Sequence, residues 1–312
     1  MSDHVSRLHQ RLEEYLAIRR AMGFKMERHA KLLRQFLEYL AASQATTVTV
    51  DHALAWAALP SSARPRWWAM RLSMVRGFAA HLHAIDPAHQ IPPRGLIPSG
   101  HRHVVPYLYT DHEIAALARA AGQLPVPFPA ATYQTLIRLL AVTGMRIGEA
   151  IRLDREDFDA TLGVLSVRDT KFGKTRQLPL HPTTTAGLRD YLRLCDQVIP
   201  CPRSSALLLS TRGCRLRYNR VWEIFHALVI RAGLRSRSSG CTPRIHDLRH
   251  TFAVTTLLEW YRTGADVPAM LPRLSTYLGH TDPKHTYWYL SAAPELLALA
   301  ADRLETHQED PR

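Results

Sequence analysis

Apolar residues recur at helical spacing from the start of the chain. Leu8, Leu12, Tyr15 and Leu16 follow i, i+4, i+7, i+8, and Leu33, Phe36, Leu37 and Leu40 repeat the pattern. A third stripe runs through Trp68, Leu72, Val75, Ala79 and Leu82, and the other faces of that helix carry Arg64, Arg66, Arg71 and Arg76. Between Asp86 and Pro106 the periodicity stops at Pro87, Pro92, Pro93, Gly95, Pro98 and Gly100, which mark a linker. Thr110 then caps a helix over DHEIAALARAA, with Asp111 and Glu113 at its positive end. Val164, Leu165 and Val167 lead into KFGK, and Arg176 to Leu180 returns, so Gly173 closes an antiparallel hairpin. The pattern predicts a mainly α protein with a small β-hairpin or sheet. It has a helical domain over 1–85, a linker over 86–105, a second domain over 106–304 and a polar tail over 305–312.

Composition narrows the partner. The 312 residues are 46% hydrophobic, enough for real cores, and 40 Lys and Arg against 27 Asp and Glu leave a net charge of +13. A polyanion is the default partner of such a chain, because cations that neutralise phosphates release condensed counterions. No charged-then-apolar leader stands at the start, and no apolar run reaches the roughly 18 residues of a membrane span, so a cytosolic protein is expected. Cys195, Cys201, Cys214 and Cys241 lack C-x-x-C pairing and read as reduced, structural thiols.

Candidate chemistry lies in separated stretches. Thr143 and Gly144 end the helix QTLIRLLAV and Met145 begins another, so Arg146 projects from a helix start suited to an anion. Glu149 can orient Arg146 by an i, i+3 pair; a buried structural ion pair is the alternative. Lys171 precedes the hairpin turn and Lys174 follows it, and Lys174 and Arg176 are placed to touch phosphates, or are plain surface charge. His246 and Arg249 in IHDLRH share a helix face. His246 and His250 at i, i+4 also have zinc-ligand spacing, but Asp247 stands where a zincin glutamate would, and phosphate is preferred to zinc. Asp282 and Pro283 start a new helix with Tyr289 in its second turn. Tyr287 is turned from Tyr289 by roughly 200°, so the two cannot share a target. An aromatic core stripe is the other reading of TYWYL, and suits Tyr287 and Trp288.

Taken in order, TGMRIGEA, TKFGKTR, IHDLRH, YLGH and TYWYL resemble the active-site boxes of the tyrosine recombinases, the phage integrase family, with transposon-borne members similar in LPRLSTYLGH and TYWYL. The resemblance implies a two-domain clamp on double-stranded DNA, with a core-binding domain to about Ile85 and a catalytic domain beyond. It implies Tyr289 as the nucleophile forming a 3′-phosphotyrosine, Arg146, Arg249, His246 and His280 around the phosphate, and Lys171 as proton donor to the 5′ oxygen. DNA contacts are expected from Arg64, Arg66, Arg71, Arg76, Lys174 and Arg176. No cofactor or metal is implied, and four protomers would join on two DNA sites, with accessory proteins as further partners. Type IB topoisomerase-like relaxation, a catalytically silent DNA-binding regulator and a metal-dependent phosphodiesterase are the alternatives. The approach to His280 contains Pro268 and Pro272 and is longer than usual in this family.

Overall fold

The computed structural model describes residues 2–98, 105–168, 175–280 and 282–292. The chain divides into two units, Met1–Arg102 and His103–Arg312. The first contains α1 (Ser2–Ala21), α2 (Glu27–Ala42), α3 (Val50–Ala58) and α4 (Pro65–His83). Their apolar stripes meet in one core, where Leu16, Leu33, Phe36, Leu37, Leu40, Trp56, Leu72, Val75 and Phe78 are buried.

Arg71 departs from the expected basic face. It shares a helix face with Val75, Phe78 and Leu82 at i, i+4, i+7, i+11, which draws it inward. It is buried with its guanidinium 3.8 Å above the Trp56 ring, and its Nη2 donates to the Trp56 carbonyl at 2.7 Å. Arg76 is also engaged, since Nε and Nη2 donate to the carbonyls of Pro92 and Pro93 at 2.7 and 2.8 Å. Only Arg64 and Arg66 of the four remain exposed without such a bond.

The expected linker is partly structured. His89 is buried and accepts from the Val48 N–H, the Gln90 N–H donates to the Val48 carbonyl, and Ile97 packs on the first core. Proline and glycine punctuation marks the end of regular structure; it does not prevent a return strap from packing. Residues 86–97 therefore belong with the first unit.

In the second unit, α5 (Asp111–Gly122) begins at Thr110 in a capping box with Glu113, worth about 1 kcal/mol for such caps. After α6 (Pro127–Thr143) and α7 (Ile147–Arg152) comes an antiparallel sheet ordered β1 (Phe158–Asp159), β2 (Val164–Val167), β3 (Arg176–Pro179). Leu165 pairs with Leu178, placing both buried side chains on one face. The short β1 has no sequence signal of its own. Next are α8 (Pro182–Val198), α9 (Tyr218–Arg231), α10 (Asp247–Arg262), α11 (Val267–Leu278) and α12 (Lys284–Ala292).

The main core gathers α5 to α9 around the sheet, and a smaller apolar cluster joins α10, α11 and α12. Both prolines before His280 are accommodated in α11, Pro268 in its first positions and Pro272 inside it. All four cysteines are free, and Cys195 and Cys241 are buried. Among the described residues no helix is long and apolar enough to cross a membrane.

Candidate active site

Two glycine-capped helix ends organise the site. Helix α6 ends at Gly144, φ 58°, and α11 ends at Gly279, φ 69°, both left-handed. Such caps release carbonyls that lack helical partners and carry the negative end of the helix dipole. Here those carbonyls meet arginines. Arg249, on α10 and 2% exposed, donates from Nη1 to the Gly144 carbonyl at 2.9 Å and from Nη2 to the Leu278 carbonyl at 2.7 Å. Arg146 precedes α7 and donates to the Gly279 carbonyl from both Nη atoms at 3.3 Å. Gly144 is also required sterically, since a Cβ there would lie 2.4 Å from the Phe252 ring.

Glu149 is the single carboxylate in this network and is buried. It accepts from the Arg146 N–H at 3.0 Å, from Arg146 Nη1 at 2.9 Å and from Arg176 Nη2 at 2.7 Å. Burial pushes its pKa up, but the hydrogen bond and charge of Arg176, with those of Arg146, bring it down to about 2. Burial and the charge of Arg146 lower Arg249 to about 10, so it stays protonated at neutral pH.

The aromatic side of the site is a chain of rings. His246 meets His250 edge to face at 4.8 Å, His250 meets Tyr289 at 5.5 Å, and His280 lies over Tyr289 at 6.1 Å with 23° between planes. His280 Nδ1 is 2.7 Å from the Oγ1 of buried Thr286, which orients the ring. Tyr289 is 2% exposed on α12 and packs with Leu257, Leu274 and Leu278. Burial raises its hydroxyl pKa, and Arg249 and Arg146 oppose that rise. Tyr287 and Trp288 are 52% and 39% exposed, so the stripe expected to bury them is reversed: Tyr289 is the buried member.

The fold thus brings Arg146, His246, Arg249, His280 and Tyr289 together around Glu149. Arg176 joins them from inside and does not face outward as a phosphate contact would; it lies at the head of a strand whose sequence alone does not say which face Glu149 occupies. Lys171 and Lys174 lie outside the described residues. The carbonyls of Gly144, Leu278 and Gly279 and the hydroxyl of Thr286 are contributors that pattern reading does not single out, though a glycine after the last periodic residue is the signal of such a cap.

The phage integrase family model matches residues 109–295. The chain belongs to the phage integrase family. It is 41% identical, over 98% of its length and 99% of the relative's, to the y4rB protein of Sinorhizobium fredii, which is named as a candidate integrase/recombinase. A tyrosine recombinase XerD of Mycobacterium tuberculosis is 32% identical over 71% of this chain and 68% of that one. Among solved structures, the Tn1549 transposon integrase in complex with a circular intermediate DNA aligns with a TM-score of 0.62 at 16% identity, over 94% of this chain and 99% of that one.

Histidine protonation in this phage integrase family member is displaced to acid. Burial and the charges of Arg249 and Arg146 lower His280 to about 3; burial with His246 and Arg244 lowers His250 to about 3. Partial desolvation with Arg249, Arg146 and Arg244 lowers His246 in the same direction, although the residue is exposed. The folded state therefore binds fewer protons than the unfolded chain below the ordinary histidine pKa, and Glu149 acts in the same sense below the ordinary carboxylate pKa. Stability should be full above about pH 6.5 and fall continuously toward pH 3. Calorimetry across that range checks this, and a melting temperature that rises on acidification would contradict it.

Proposed function

We propose that this phage integrase family member is a site-specific DNA recombinase that cleaves and rejoins strands through a 3′-phosphotyrosine at Tyr289. The observation that carries the reading is the convergence of one buried tyrosine with two arginines and a set of neutral histidines. Phosphodiester transesterification needs such a set: Tyr289 Oη gives up its proton to a neutral histidine of the set as it attacks phosphorus, the bond to the 5′ oxygen breaks, and negative charge grows on the non-bridging oxygens. Arg146 and Arg249 hold those oxygens, with His246 and His280 as hydrogen-bonding partners. The leaving 5′ oxygen takes up a proton, for which Lys171 is the proposed donor. One phosphoester replaces another, so rejoining is the reverse reaction with the 5′ hydroxyl of either strand.

The remaining assignments extend this reading. Double-stranded DNA is gripped by both units, with Arg64, Arg66 and Lys174 as backbone contacts, and the protein acts in the cytoplasm. Four protomers assemble on two DNA sites, with accessory proteins joining them.

The test is a nicked duplex whose cleaved end diffuses away. Incubated with the protein in EDTA, it should yield a protein–DNA adduct that withstands denaturant. A strict requirement for a divalent metal would overturn the proposal.

A further inference from the structure

Arg176 begins β3, yet its guanidinium turns away from solvent, with only 10% of the side chain exposed. Nε donates to the Tyr277 carbonyl at 2.7 Å, and Nη2 donates to Glu149 Oε2 at 2.7 Å. The same carboxylate holds Arg146, and Arg146 in turn donates to the carbonyl of Gly279, two residues beyond Tyr277. The contacts close a ring: Arg176, Glu149, Arg146, Gly279 and back along the chain to Tyr277. Gly279 is seated directly against Arg176, since a Cβ there would lie 2.7 Å from its Nη1.

We propose that Arg176 is a positioning residue for strand cleavage, setting the distance between Arg146 and the turn that carries His280 while touching no DNA itself. This rests on the reading of Arg146 and His280 as phosphate ligands. The geometry asks for arginine specifically. A planar fork reaches a carboxylate on one side and a carbonyl on the other, whereas a lysine supplies a point charge that can satisfy Glu149 without spanning to Tyr277. A pair that merely neutralised Glu149 would be served by either residue.

That difference makes the test. Arg176→Lys, Arg176→Gln and Gly279→Ala are compared with the wild type for melting temperature, duplex affinity and single-turnover cleavage of the nicked substrate between pH 4 and pH 9. Arg176→Lys should bind DNA as the wild type does and melt only slightly earlier, for the lost Tyr277 contact, yet cleave roughly 10- to 100-fold more slowly than that small loss allows, as expected for a reacting group displaced by about 1 Å. In Arg176→Gln the acid limb of the rate profile should also move to higher pH, because Glu149 loses its strongest stabilising partner and, once protonated, releases Arg146. Gly279→Ala should slow cleavage with Arg176 still in the chain; if its left-handed backbone makes it melt early, Arg176→Lys decides alone. Cleavage by Arg176→Lys at the wild-type rate would overturn the proposal, as would rates that track only the folded fraction with an unchanged pH profile. A wild type that forms no adduct sinks the underlying reading; a wild type and Arg176→Lys that cleave equally sink this proposal alone.

Discussion

Tyr289→Phe forms no covalent adduct with the nicked duplex, while its affinity for the intact duplex stays at the wild-type value. The ring packs among Leu257, Leu274 and Leu278 and against His250 and His280, and phenylalanine keeps all of those contacts. The oxygen alone is lost, and with it an interaction with Arg249, so stability changes by about 1 kcal/mol at most. Tyr287→Phe forms the adduct at the wild-type rate, because that ring is half exposed on another face of α12. Denaturing electrophoresis of labelled DNA reads both results. Adduct surviving in Tyr289→Phe would assign the nucleophile elsewhere.

The two clamp arginines should fail differently. Arg146→Ala and Arg249→Ala each lose a charge-assisted donor to the transition state, an effect of about 2.7 to 4 kcal/mol, or roughly 10²- to 10³-fold in cleavage rate, by analogy with oxyanion-hole donors. Stability separates them. Arg146 has a side chain 38% exposed, and its removal leaves Glu149 still paired with Arg176, so the melting temperature should barely move. Arg249 is buried and ties the ends of α6 and α11 together, so Arg249→Ala should also melt earlier by several degrees for a loss of about 1 to 3 kcal/mol. Equal melting temperatures for the two variants would show that the carbonyl contacts of Arg249 contribute nothing.

Much of this was legible in the sequence because helical spacing and caps are local properties. The Thr110 capping box, the glycine ends at Gly144 and Gly279, the pairing of Val164–Val167 with Arg176–Pro179, and the turning of Tyr289 away from Tyr287 all follow from residues within a few positions of each other. Long-range partners were not legible. Arg71 could be placed on a helix face, but only the fold puts Trp56 beneath it. Arg176 could be placed on a strand, but only the fold brings Glu149 and the Tyr277 carbonyl to its two edges. The strap over 86–97 was hidden for a related reason: its partner Val48 lies about forty residues back in the chain.

The acid-shifted histidines fix the charge of the site. At neutral pH they are uncharged, so Arg146, Arg176 and Arg249 against Glu149 leave two net positive charges among these described groups. A phosphodiester brings one negative charge, and the pentacoordinate state gains a second as its oxygens fill. These described groups are thus balanced when the bond is half exchanged, and carry an excess of one when DNA is intact or when the phosphotyrosine has formed. Substrate and intermediate therefore look electrically alike to these groups, whose charge favours neither side of the exchange.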